Sequence, residues 1–135
     1  MKTQDCIFFQ LSKTSRAGAR HWQKKVAEFG VTSAQALVLL FLLEEDQVTS
    51  KYLGSRIEFD SATLTGLLDR LEKAELVERK NNPGDRRAIL ISLTKDGNKV
   101  ANQILGIVER ENQVFLSGLT PEEAMILRAL LKKIR

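Results

Sequence analysis

With a single cysteine, Cys6, the chain can form no internal disulfide, so no cross-linked scaffold holds it together and the lone thiol suits a reducing compartment. Two prolines, eight glycines and a mixture of 43% apolar and 28% charged residues exclude collagen-like, low-complexity and disordered chains. Long apolar runs are missing: the longest, from Ala36 to Leu43, falls well short of the roughly 20 residues that a bilayer span needs. The N-terminus has no basic stretch followed by an apolar one of the signal-peptide kind. The expectation is a cytoplasmic protein with no membrane partner. His21 is the sole histidine and has no cysteine nearby, which leaves no metal site. No glycine-rich phosphate loop and no nucleophile with a placed base are found. The chain is therefore expected to be no enzyme and to need no cofactor.

What the sequence does have is basic charge and helical periodicity. Its 135 residues suit one domain, 1–135, and its net charge of +4 leans toward an anionic partner. The charge is unevenly placed: six basic residues stand against two acidic ones from Met1 to Val31, and within the stretch from Arg79 to Arg87 the basic Arg79, Lys80, Arg86 and Arg87 are opposed only by Asp85. Ile7, Leu11, Ser15, Gly18, Trp22, Val26 and Phe29 recur at intervals of three and four, the stripe of one long helix ending near Gly30. Ser15 and Gly18 predict close approach by another backbone. Thr32 with Gln35 reads as a capping box for a helix that is apolar almost all round and therefore central.

Thr49 caps a short helix through Ile57, with Tyr52, Leu53 and Ile57 expected inward. Asp60 or Ser61 caps the next, whose Leu64, Leu67, Leu68 and Leu71 form the buried side. These two helices and their short link make a helix-turn-helix. Leu76 to Lys80 and Ala88 to Leu93 alternate like strands around the turn formers Asn81-Asn82-Pro83-Gly84-Asp85, predicting a hairpin with a basic tip. Thr94 opens a long helix in which Gly106 permits close contact, and Thr120, Pro121 and Glu123 open a last one. The fold expected is mainly α with a small β-hairpin wing. In it a winged helix-turn-helix spans 32–93, and the terminal helices, 4–30 and 94–135, keep apolar stripes that a second copy of the chain would cover in a homodimer.

A recognition helix and a basic wing offer two probes to double-stranded DNA. Ser61, Thr63 and Thr65 carry hydroxyls for phosphates or base edges, Ala62 a methyl for thymine, and Arg70 a guanidinium for phosphate or guanine. In the wing, Arg87 fits a narrow minor groove, with Arg86 beside it and Asp85 placed to hold it by a charge-assisted hydrogen bond. A winged helix can also serve as a protein-interaction module; the arginines beside Asp85 favour DNA.

The runs Asp60-Ser61-Ala62-Thr63-Leu64-Thr65, Leu67-Leu68-Asp69-Arg70-Leu71-Glu72, Leu76-Val77-Glu78-Arg79, Asp85-Arg86-Arg87 and Leu93-Thr94-Lys95-Asp96-Gly97 resemble the MarR family of regulators. The resemblance covers nearly the whole chain and is strongest from Thr49 to Gly97. It implies a dimer built from the terminal helices, a recognition helix in Ser61 to Lys73, a transcriptional role, expected to be repression of pseudo-palindromic sites, and release of DNA by a small ligand or an oxidant. It also implies that Asp85 and Arg87 match the family's paired wing residues, and it allows a ligand pocket at His21 and Trp22. Cys6 resembles the sensing cysteine of the organic-hydroperoxide branch. That branch's supporting tyrosines are replaced, by ungapped counting, by Gln10 and Arg20.

Overall fold

The computed structural model describes residues 1–135 and divides into two compact units, Met1–His21 with Ile107–Arg135 and Trp22–Gly106. Along the chain come α1 (Ile7–Val26), α2 (Ser33–Glu44), β1 (Val48–Thr49), α3 (Ser50–Ile57), α4 (Ser61–Lys73), β2 (Val77–Asn82), β3 (Asp85–Leu93), α5 (Lys95–Phe115) and α6 (Pro121–Lys133). The unit boundaries fall inside α1 and α5, outside the 32–93 limits expected from the sequence. No single helix is long and apolar enough to cross a membrane.

In the unit Trp22–Gly106 the core is built around α2, whose Ala36, Val38, Leu39 and Leu42 are fully buried. The reciprocal capping box of Thr32 and Gln35 starts that helix. Leu53 and Ile57 of α3, Leu64, Leu67, Leu68 and Leu71 of α4, and Val77, Ile91 and Leu93 of the sheet close on it. Truncating a leucine such as Leu39 to alanine in so filled a core costs about 2–5 kcal/mol. Tyr52 is a correction: it is 40% exposed, and its hydroxyl donates to Glu45 Oε2 at 2.7 Å. With Leu53 and Ile57 one turn apart taking the inner face, Tyr52 falls on the flank, where its polar end finds an acceptor.

The sheet has three strands in the order β1-β3-β2, all antiparallel. The two-residue β1 gave no periodic signal and was not expected; it pairs Val48 with Ile91 and Thr49 with Leu90. Asn81, Asn82 and Asp85, read as turn residues, lie within strands, which leaves Pro83-Gly84 as the tip and an irregularity between Asn81 and Asn82. Where α5 begins, Thr94 Oγ1 accepts from the Gly97 N–H at 2.9 Å and donates to the Glu75 carbonyl at 2.6 Å, while the Thr94 N–H bonds the Leu76 carbonyl. A Cβ on Gly97 would overlap that Leu76 carbonyl oxygen. Only glycine lets α5 start so close to the backbone before β2.

In the other unit, Gly18 of α1 meets the Phe115 ring of α5, with 3.6 Å to a Cβ built there, so its neighbour is an aromatic side chain and not the expected backbone. Gly106, in the unit Trp22–Gly106, has nothing within 4 Å, which leaves its expected close contact unmade within the chain. Thr120 and Glu123 form the second capping box, with Pro121 at the first helical position. Large apolar side chains remain uncovered here: Ile7, Phe8, Phe9 and Leu11 on α1, and Met125, Ile126, Leu130 and Leu131 on α6.

Candidate nucleic-acid interface

The leucines of α4 commit one side of that helix to the core and leave Ser61, Ala62, Thr63, Thr65 and Arg70 exposed together on the other. Asp60, not Ser61, is the cap: its carboxylate accepts from the Thr63 N–H and the Thr63 hydroxyl, both at 2.8 Å. These bonds, the main-chain one foremost, hold the Asp60 carboxyl below its usual range. The Thr63 hydroxyl thus spends its proton on the cap and faces outward as an acceptor.

Arg86 and Arg87 are exposed at the start of β3, just beyond the Pro83-Gly84 tip. The Asp85 contact has a different form from the one expected. Its Oδ1 accepts from the main-chain N–H of Arg87 at 3.0 Å rather than from the guanidinium. Asp85 therefore shapes the backbone at Arg87 and leaves the cationic head to solvent or an anion. Gly84 is held similarly, its N–H donating to Asn82 Oδ1 at 2.9 Å.

One contact leaves no mark in the sequence. Arg79 of β2 reaches α4, with Nη2 at 2.8 Å from Asp69 Oδ1 and Nη1 donating to Glu72 Oε1 at 3.2 Å. As ion pairs at a surface these contribute at most about 1 kcal/mol each. A pair between a strand and a helix has no fixed sequence spacing, so only the local excess of charge could have hinted at it.

His21 and Trp22, expected in a ligand pocket, fall in different units. Nε2 of His21 lies 2.9 Å from Oε2 of the almost fully buried Glu111, and its ring tilts against Phe115 with centroids 5.5 Å apart. Trp22 packs on the core of the unit Trp22–Gly106. A groove of about 510 Å³ lies between α5 and α6, lined among others by Val108, Asn112, Leu116, Leu119 and Arg128. Cys6 is half-buried immediately before α1, its N–H bonded to the Thr3 carbonyl and its own carbonyl accepting from Gln10.

A capped recognition helix beside an arginine-bearing hairpin, both anchored in one core, defines a winged-helix DNA-binding regulator. Residues 29–88 match the family model described as "MarR family". The organic hydroperoxide resistance transcriptional regulator of Bacillus subtilis (strain 168) is 37% identical over 72% of this chain and 66% of its own length. The transcriptional regulator SarZ of Staphylococcus epidermidis is 32% identical over 94% of this chain and 83% of its own. A mutant MarR from E. coli, solved in complex with operator DNA, superposes with a TM-score of 0.89 at 28% identity, covering 95% of this chain and 92% of that one. The chain belongs to the MarR family of transcriptional regulators and binds DNA.

Proposed function

We propose that the protein is a repressor that binds pseudo-palindromic operators as a homodimer, with α4 in the major groove and the β2–β3 wing over the minor groove. The observation that carries this reading is the joint exposure of the Ser61–Arg70 face and of Arg86 and Arg87 on one compact unit. The E. coli relative solved with operator DNA supports the mode of binding. Pairing of two copies through the terminal helices accounts for the apolar side chains left uncovered on α1 and α6. A twofold dimer spaces its half-sites by about one helical turn, roughly 10 base pairs. Selection of bound duplexes from a random pool, followed by footprinting, tests this: two protected half-sites are expected, with affinity falling steeply as salt rises, and failure to select any duplex would favour a protein-interaction module instead.

Release by an oxidant at Cys6 is favoured by its half-buried position at the start of α1 and by the likeness to the B. subtilis hydroperoxide regulator. Oxidation to a sulfenic acid or mixed disulfide adds bulk and polarity beside the proposed seam. To turn occupancy from 99:1 to 1:99 it must shift the balance of states by about 5.5 kcal/mol. A buried unsatisfied polar group supplies roughly 1–3 kcal/mol of that, twice in a dimer. Hydroperoxide should release DNA from the wild type and not from Cys6→Ser; equal behaviour of the two assigns Cys6 to packing and leaves release to a small ligand.

A further inference from the structure

The two surfaces offered to a duplex belong to different elements, α4 and the β2–β3 hairpin, and a duplex fixes the separation and tilt of its grooves. Arg79 stands between them. It lies opposite Ile91 in the sheet and two residues beyond the buried Val77, so both side chains leave the same face of β2, the one packed toward α4. Its guanidinium contacts Asp69 at 2.8 Å and Glu72 at 3.2 Å, and the side chain is only 25% exposed. Asp69 and Glu72 stand three residues apart on α4 and are neighbours on its surface. A planar fork engaging two carboxylates constrains both the rotation and the distance of the helix, which a single point charge does not.

The same contact solves an electrostatic problem. Asp69 and Glu72 occupy the C-terminal half of a helix that meets a polyanion, where their charge is unfavourable both to the helix dipole and to phosphates. Arg79 offsets them locally. We propose that Arg79 is a positioning residue for DNA binding, which fixes the angle between recognition helix and wing through Asp69 and Glu72 and does not itself touch DNA. This rests on the assignment of α4 and the wing to the two grooves. Helix and wing then meet the duplex already ordered, and affinity is not lost to ordering them on contact.

The test uses the full-length protein and a selected duplex. Arg79→Gln should weaken binding about three- to thirtyfold, the range typical of a residue that acts through a neighbour, with Arg79→Lys in between. The slope of log affinity against log salt should stay that of the wild type, and unfolding should stay a single transition with the melting temperature lowered by no more than several degrees. The loss caused by Arg79→Gln should also shrink in an Arg87→Ala background, because the wing contact that depends on the clamp is already gone. A slope reduced by about one identifies Arg79 as a phosphate contact and overturns the proposal. Unchanged affinity, or losses that simply add with Arg87→Ala, overturn it as well. A wild type that binds no duplex overturns the groove assignment first and the proposal with it.

Discussion

The carboxylate of Asp85 holds the main-chain N–H of Arg87 at 3.0 Å and leaves the guanidinium unengaged by it. The consequence is a division of labour, in which one residue sets the backbone and the next supplies the charge. Arg87→Ala should cost DNA affinity on the order of tenfold or more and reduce the salt slope by about one, read by fluorescence anisotropy. Asp85→Asn keeps an acceptor and should retain most of the affinity; Asp85→Ala should not.

Gly97 cannot accept a side chain, because the Leu76 carbonyl occupies the place of its Cβ. Gly97→Ala should destabilise the fold by about 3 kcal/mol or more through forced displacement of the α5 start. Thermal unfolding followed by circular dichroism should show a drop of about ten degrees. A drop of one or two degrees would mean that the junction yields easily.

The Asp60 cap makes a signed prediction for pH. Its carboxyl is depressed by the Thr63 N–H, so the stabilisation is complete above the ordinary aspartate value of about 3.9 and is lost as pH falls through the lower folded value. Asp60→Ala should therefore melt a few degrees below the wild type at pH 7, and the difference should close below about pH 4. A difference that persists undiminished at pH 2 would show that the charge of Asp60 is not what matters.

The uncovered Phe8 and Leu131, 79% and 41% exposed, are expected to lie in the seam between two copies. Phe8→Glu combined with Leu131→Glu should weaken self-association on the order of 30-fold or more, the effect of losing a 2 kcal/mol hot spot. Sedimentation equilibrium reads it directly. If the wild type sediments with the mass of one chain, the terminal helices have some other role.

The sequence revealed those features that have a local or periodic signature. The capping boxes at Thr32 and Thr120, the α4 leucine stripe, the exposed hydroxyls beside it and the arginines at the hairpin tip all lie where spacing and turn chemistry put them. It hid what arises from contact between distant segments. Strand β1 is too short to show alternation and exists because β3 offers it an edge. Tyr52 turned outward because its neighbours filled the inner face. His21 met Glu111, 90 residues away, and Arg79 met α4. Gly18, which meets the Phe115 ring, shows the same limit, since a small residue permits close approach without naming what approaches.

The pairing of β3 on both sides near its end implies a gradient of stiffness along the wing. At its root β3 is flanked by β1 and β2, and the Leu93 N–H is held by Asp46 Oδ1 at 3.0 Å. Beyond Leu90 it has only β2 for company, and the pairing loses register before the tip. Amide protons should thus exchange slowest at Ile91 and progressively faster toward Arg86, with the outer half opening in excursions that leave the helical core intact. The wing is a cantilever clamped at its base, and in the proposed binding mode its tip follows variations in minor-groove width while its point of attachment stays put.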